Sequence, residues 1–180
     1  MSFTKTFETD RLILRKGTLE DAFDIYNSYA SREKVTEFLS WQAHKSINET
    51  IEYLTNIVLP NYGTEFYSWY IELKETNKVI GNISVVRIDK DKKSAELGWV
   101  LSDDYWGQGI MPEAGKIVLD YLKTCGFVRI HARHNVANAK SGRVMQKIGM
   151  KFEGVLRKAG VDNKGNLIDS AVYSYINGED

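Results

Sequence analysis

Residues 105–114 read YWGQGIMPEA, and the elements on either side of this stretch decide the fold. Upstream, residues 97–101 form an apolar, strand-like run. Downstream, Pro112 opens a helical stripe of Ala114, Ile117, Val118, Tyr121, Leu122 and Cys125, which Gly126 closes. Gly107 and Gly109 stand between strand and helix. A helix N-terminus leaves backbone N–H groups without partners and carries the positive end of the macrodipole. Glycines immediately ahead of it let a phosphate come close to those N–H groups. The same spacing also suits a tight turn with proline at the first helical position. No Gly-Lys-Ser/Thr follows, so this is not a Walker loop. Pro112 stands at the third glycine position, so it is not a Rossmann fingerprint.

The rest of the chain arranges itself around this turn. Residues 12–15 read as a first strand. Thr18 and Asp21 have the spacing of a capping box ahead of a stripe of Leu19, Ala22, Phe23, Tyr26 and Tyr29. A second helix opens at Ser46, with Glu49 completing a box, and runs through Ile47, Ile51, Leu54 and Val58 to Pro60. The connector 31–45 contains Phe38, Leu39 and Trp41. Residues 67–73, 79–88 and 95–101 are β-branched and aromatic, and the short turns between them favour an antiparallel meander. Residues 127–133 form another strand. Residues 152–156 and 167–175 form a closing pair across the turn 162–166. The expectation is a mixed α/β (α+β) fold with strands of both orientations and helices on either side.

Composition narrows the class. The chain has 180 residues, 43% hydrophobic and 27% charged, as expected of one globular domain spanning 1–180. Formal net charge is zero, so neither nucleic acid nor an anionic membrane is an electrostatic partner. No apolar run approaches the ~20 residues of a membrane span. The start MSFTKTFETDR lacks the apolar core of a signal peptide, and the single cysteine rules out an internal disulfide. A cytoplasmic protein is expected.

A second segment narrows the function. Residues 135–150 read NVANAKSGRVMQKIGM. Asn138 can cap a short helix with Val144, Met145 and Ile148 on its apolar face and Gly149 as a left-handed stop. Together with the glycine turn, this segment resembles the GNAT N-acetyltransferase superfamily. Trp106-Gly107-Gln108-Gly109-Ile110-Met111 stands where that family binds the pyrophosphate of acetyl-CoA. The aromatic-Gly-x-Gly form and Asn138-x-x-Ser141 are similar to the ribosomal-protein N-acetyltransferase branch. TDRLILR (9–15), ELGWVL (96–101) and FEGVLR (152–157) match that branch as well. The resemblance implies a mostly antiparallel sheet with a splayed parallel strand pair, 96–101 beside 127–133. It implies acetyl-CoA as cofactor, with backbone groups of Trp99, Val100 and Leu101 pairing to the pantetheine amides like an added strand. It also implies an amine acceptor, in this branch a protein N-terminus.

Acyl transfer to an amine needs a held cofactor, removal of a proton and stabilisation of the leaving thiolate. Glu96 is the candidate base. Strand alternation places it on one face with Gly98 and Val100, and a partly apolar cleft would raise its pKa. It could equally be a polar strand-end residue beside Lys93 and Ser94. Ser141 is the candidate to bind or protonate the thiolate, or a first-turn serine satisfying backbone donors. Asn138 is an N-cap, a cofactor ligand, or both. Relatives outside this branch place a tyrosine acid four residues after the serine, where this chain has Met145. His44, His131 and His134 show no metal-ligand spacing and read as exposed strand-end residues, so no metal is expected. Cys125 falls on the helix stripe and reads as a packed thiol. A small amine acceptor (polyamine or aminoglycoside), a non-catalytic acyl-CoA-binding module and a structural turn in an interaction domain all stay open. Homo-oligomerisation is left open too.

Overall fold

The computed structural model describes residues 3–179. Its strands are β1 (Phe7–Glu8), β2 (Leu12–Arg15), β3 (Ser68–Leu73), β4 (Lys78–Asp89), β5 (Ser94–Leu101), β6 (Arg129–Asn135), β7 (Lys151–Val161) and β8 (Leu167–Ile176). They form one sheet in the order β1-β2-β3-β4-β5-β6-β8-β7. The helices are α1 (Ala22–Ile25), α2 (Glu33–Thr36), α3 (Ile47–Tyr53), α4 (Leu59–Asn61), α5 (Ile110–Thr124) and α6 (Ala139–Lys147). By contacts the described residues form two compact units. One is 3–37, 41–84 and 99–108; the other is 38–40, 85–98 and 109–179. Both β4 and β5 run through the two.

In the first unit β1–β2, β2–β3 and β3–β4 pair antiparallel; of these, β3–β4 is the pairing expected from the short turn between 67–73 and 79–88. The capping box forms: Thr18 N–H donates to Asp21 Oδ2 at 2.8 Å. Ala22, Ile25, Tyr29 and Ala30 are buried, but Leu19 and Phe23 are 45% and 67% exposed. A constant 3.6-residue period fails here for a physical reason. The segment starts as a 3-10 turn (Leu19–Asp21) and ends as a π turn (Tyr26–Ala30), so its face rotates along the axis. The second expected helix is likewise divided: α3 passes into a π turn (Leu54–Val58) before α4. Its box does not form. Ser46 makes no cap bond, and Glu49 instead accepts from Lys45 N–H at 3.2 Å. Pro60 lies inside the last turn rather than ending the run. Within the connector, residues 33–36 are helical and Trp41 packs against the core of this unit.

In the second unit β5 and β6 are parallel, registered from Ser94↔Arg129 to Leu97↔Ala132. Both strands continue past the last registered pair, β5 to Leu101 and β6 to Asn135. β6 pairs antiparallel with β8, and β8 with β7 across the 162–166 turn. Helix α5 begins at Ile110, two residues ahead of Pro112, because Gly109 in the left-handed region serves as its N-cap. Pro112 is tolerated at the third helical position, where its missing N–H would have no intrahelical partner. Its buried face is Ile110, Met111, Ala114, Gly115, Val118, Leu119 and Leu122. Cys125 departs from expectation: it is the C-cap and is exposed, since the helix stops before the stripe reaches it. Among the described residues no helix is long and apolar enough to cross a membrane.

Candidate functional site

The glycine turn does what its composition requires. Gly107 and Gly109 have φ of 81° and 79°, the left-handed region that glycine enters without penalty. A Cβ at Gly107 would meet nothing within 4 Å, so the turn faces open space. Among the described residues, nothing accepts from the N–H groups of Gly109, Ile110 and Met111. These three donors open a 15-residue helix, so its dipole adds to their pull on an anion. The residues present therefore fit a phosphate. The Ile110 and Met111 side chains are 2% and 3% exposed, so only their backbone can take part.

In the first unit the turn is held from below. Trp106 Nε1 donates to Leu101 O at 2.9 Å, and its indole packs against the buried cluster that includes Tyr29 and Tyr70. Lys34 Nζ lies 5.4 Å from the indole centroid. The Arg11 guanidinium donates to Gln108 O at 3.1 Å, and Gln108 Nε2 donates to Asp104 O at 3.0 Å. Trp106 thus anchors the turn, and Arg11, which the sequence reading passed over, clasps it. Trp99 and Val100 are half-buried and Leu101 is buried. Gly81 admits this segment: a Cβ there would sit 2.6 Å from Val100 O.

In the second unit Glu96 is 8% exposed and lies between Arg133 and His131. Arg133 grips it with Nε at 2.8 Å and Nη2 at 3.0 Å, and His131 Nε2 lies at 3.6 Å. On the other side of the imidazole, Nδ1 is 3.3 Å from Ser94 Oγ. The expected upward pKa shift is reversed. Burial does push the carboxyl up, but the contacts and charges of His131 and Arg133 outweigh it and hold it at about 2. His131 and His134 are also not the exposed strand-end residues expected. His131 is enclosed by Ser94 and Glu96. His134 donates from Nδ1 to Asn135 O at 2.7 Å, and its Nε2 is buried against Gly142. Arg133 was legible only through the β5–β6 register, which sets Glu96 opposite His131 and so brings Arg133, two residues on, to the same face.

Asn138 caps α6, its Oδ1 accepting from Ser141 N–H at 3.3 Å. The Ser141 hydroxyl has no protein partner among the described residues. Met145 is 1% exposed and belongs to the core, so no side-chain acid stands at that position.

Among the described residues, a helix start whose N–H groups fit an anion follows on β5, a member of the parallel β5–β6 pair in a mostly antiparallel sheet. The chain belongs to the GNAT acetyltransferase family: the family model described as an acetyltransferase (GNAT) domain matches residues 11–151. An uncharacterized N-acetyltransferase, p20 of Bacillus licheniformis, is 31% identical over 97% of this chain and 98% of its own length. The ribosomal-protein-serine acetyltransferase of Escherichia coli K12 is 28% identical over 67% of this chain and 68% of its own. The solved structure of a ribosomal L7/L12 alpha-N-protein acetyltransferase in complex with coenzyme A shares the fold. Its TM-score is 0.85 at 22% identity, covering 98% of this chain and 100% of that one. The protein is an N-acetyltransferase, and acetyl-CoA is its acetyl donor.

Proposed function

We propose that the acceptor is the free N-terminal amine of a protein, acetylated directly with no covalent acyl-enzyme, by one domain spanning 1–180. The observation that carries this reading is the Glu96 carboxyl, held at about 2 by His131 and Arg133. Such a carboxylate is a weak proton acceptor at neutral pH, so the amine must bring its own free base. An N-terminal amine has a pKa of ~7.7–8.0 against ~10.4 for lysine, so at pH 7 it offers roughly several hundredfold more free base. The similarity to a ribosomal-protein-serine acetyltransferase supports a protein as the acceptor. A single thiol and the absence of a long apolar helix among the described residues are compatible with a cytoplasmic setting.

Bound acetyl-CoA would supply an acetyl thioester, activated toward amines. The N–H groups of Gly109, Ile110 and Met111 would hold its pyrophosphate, with Gly107 and Gln108 completing the turn and Trp106 keeping it in place. Leu101 O already accepts from the Trp106 indole, so Trp99 and Val100 would carry most of the pairing to the pantetheine amides. Asn138 would fix the first turn of α6, and the unengaged Ser141 hydroxyl would donate to the departing thiolate. The Glu96–Arg133 pair would set a fixed field at the site, while water removes the proton.

An acetyl-CoA consumption assay tests this. Peptides with a free N-terminus should be turned over in preference to N-terminally blocked peptides that carry lysine. Turnover of a polyamine with no activity on any free-N-terminal peptide would overturn the reading.

A further inference from the structure

The zero net charge of the chain is not evenly spread. Residues 139–169 hold α6, β7, the turn after it and the start of β8. Within them seven lysines and arginines stand against three carboxylates. Each carboxylate is already engaged. Arg129 and Ser174 hold Glu153, the N–H groups of Lys164 and Asn166 donate to Asp162, and that of Lys158 donates to Asp169. Arg143, Lys147, Lys151, Arg157, Lys158 and Lys164 are exposed, and none has an ion pair among the described residues. On α6, Lys140, Arg143 and Lys147 recur at i, i+3 and i+7, so they share one face of the helix.

The same segment leaves large apolar side chains in water. Phe152, Val155, Leu156 and Val161 of β7 are 48–55% exposed, and β7 ends the sheet. Phe152, Val155 and Val161 register with Tyr173, Ala171 and Leu167, which have one parity on β8, so the three share a face. Leu156 registers with Ser170 and lies on the other face. The first face is the one α6 covers, since a Cβ on Gly142 would lie 3.5 Å from the Tyr173 hydroxyl. The basic helix therefore borders the apolar row.

These features disfavour three occupants and suit a fourth. A second copy would bring the same excess of cations against itself. Single-stranded nucleic acid is held by stacking on aromatic rings. The segment offers one, Phe152, whose centroid is already 5.2 Å from that of Tyr173. A flat anionic membrane cannot meet apolar side chains on both faces of a strand at once. An acidic polypeptide can follow the edge and reach both. Register shifts between Phe152 and Gly154 and between Leu156 and Gly160 interrupt that edge, so side chains rather than continuous strand pairing carry the contact.

We propose that β7 and the basic face of α6 dock an acidic, aliphatic-rich segment of the acceptor protein, distinct from the amine that reacts. Its carboxylates meet Arg143, Lys147 and the β7 cations, and its apolar side chains cover Phe152, Val155 and Val161. This rests on the reading of the acceptor as a protein, and it adds the surface that chooses among proteins. The reacting amine keeps its free-base form, because the charges read here lie elsewhere on the acceptor.

The test is fluorescence anisotropy with the full chain, without acetyl-CoA. The probe is an N-terminally acetylated, C-terminally labelled peptide of alternating glutamate and leucine, which offers no amine to acetylate. It should bind, and bind more weakly as salt rises. Peptides alternating lysine with leucine, or glutamate with serine, should bind far less. Arg143→Glu/Lys147→Glu should weaken the glutamate–leucine peptide about tenfold or more, and Val155→Thr/Val161→Thr about fivefold or more, with Tm nearly kept because all four side chains are exposed. In the wild-type chain, amide signals of 139–164 should move with the peptide. Signals that move only elsewhere, or undiminished binding in both folded variants, would overturn the proposal. So would tighter binding of polyuridylate or phosphatidylserine vesicles, or self-association that Val155→Thr/Val161→Thr abolishes. No acetyl transfer is measured, so failure here is separate from failure of the N-terminal acceptor assay.

Discussion

Glu96 and Glu153 are each held at about 2, well below the ordinary glutamate value of 4.5, by the side chains that hydrogen-bond and pair with them. Arg133 and His131 flank Glu96, whereas Arg129 and Ser174 hold Glu153. A depressed folded-state pKa means the folded chain binds fewer protons than the unfolded chain between pH 4.5 and 2. The stability these pairs contribute is therefore complete above about 4.5 and is lost as pH falls toward about 2. For the buried Glu96 this is on the order of 2–3 kcal/mol, and less for Glu153, whose side chain is 38% exposed. Urea unfolding should show wild-type stability falling across that window and Glu96→Gln losing less of it; parallel curves would refute the linkage. The same variant separates two catalytic roles. Loss of a true general base costs about 100-fold or more in kcat, whereas loss of a fixed charge should cost about tenfold or less, which is the expected result. Glu96 was visible in the sequence by its place at the start of β5. Its pKa was not, because Arg133 and His131 reach it only through a strand pairing between segments more than thirty positions apart.

At the scale of elements, the turn before α5 is where sequence and structure agree best. Glycine composition and the apolar stripe after it both come from local rules, so they could be read without tertiary information. Gly109 combines two demands that valine cannot meet: a φ of 79° and an unobstructed N–H. Gly109→Val should therefore raise the Kd for coenzyme A about tenfold or more by calorimetry while the chain still folds. An unchanged Kd would mean that the phosphate binds elsewhere. The N-terminal helices were less legible. Leu19 and Phe23 lie on the solvent side because a 3-10 turn and a π turn rotate the face between Thr18 and Ser31, and no propensity announces either. Ser46 has the residue type of a cap but makes no cap bond, because Glu49 reaches the preceding Lys45 N–H instead. Cys125 sits one residue past the end of α5, so periodicity placed inside a thiol that the helix stop leaves outside.

For the whole molecule, the mostly antiparallel sheet with a parallel pair of 96–101 beside 127–133 followed from a resemblance spread over five separated segments, and that pair formed as expected. The acceptor could not be read that way. It depends on side chains that meet only through tertiary pairing, as Glu96 meets Arg133 within the second unit, and no local pattern encodes such a meeting. One measurement joins the site's electrostatics to the choice of acceptor. If Glu96 is ionised throughout the working range, it contributes no rising limb near neutrality, and kcat/KM should follow the free-base fraction of the amine itself. For a free-N-terminal peptide the rate should rise about tenfold per pH unit and level off near pH ~8, the pKa of that amine. For a lysine-only peptide any weak activity should keep rising toward pH ~10, so discrimination between the two shrinks as the medium becomes alkaline. Glu96→Gln should leave the midpoint of the N-terminal profile in place, since the titrating group belongs to the substrate. A midpoint that moves with this variant, or that stays the same for both peptides, would return proton acceptance to the protein and remove the physical basis for preferring an N-terminal amine.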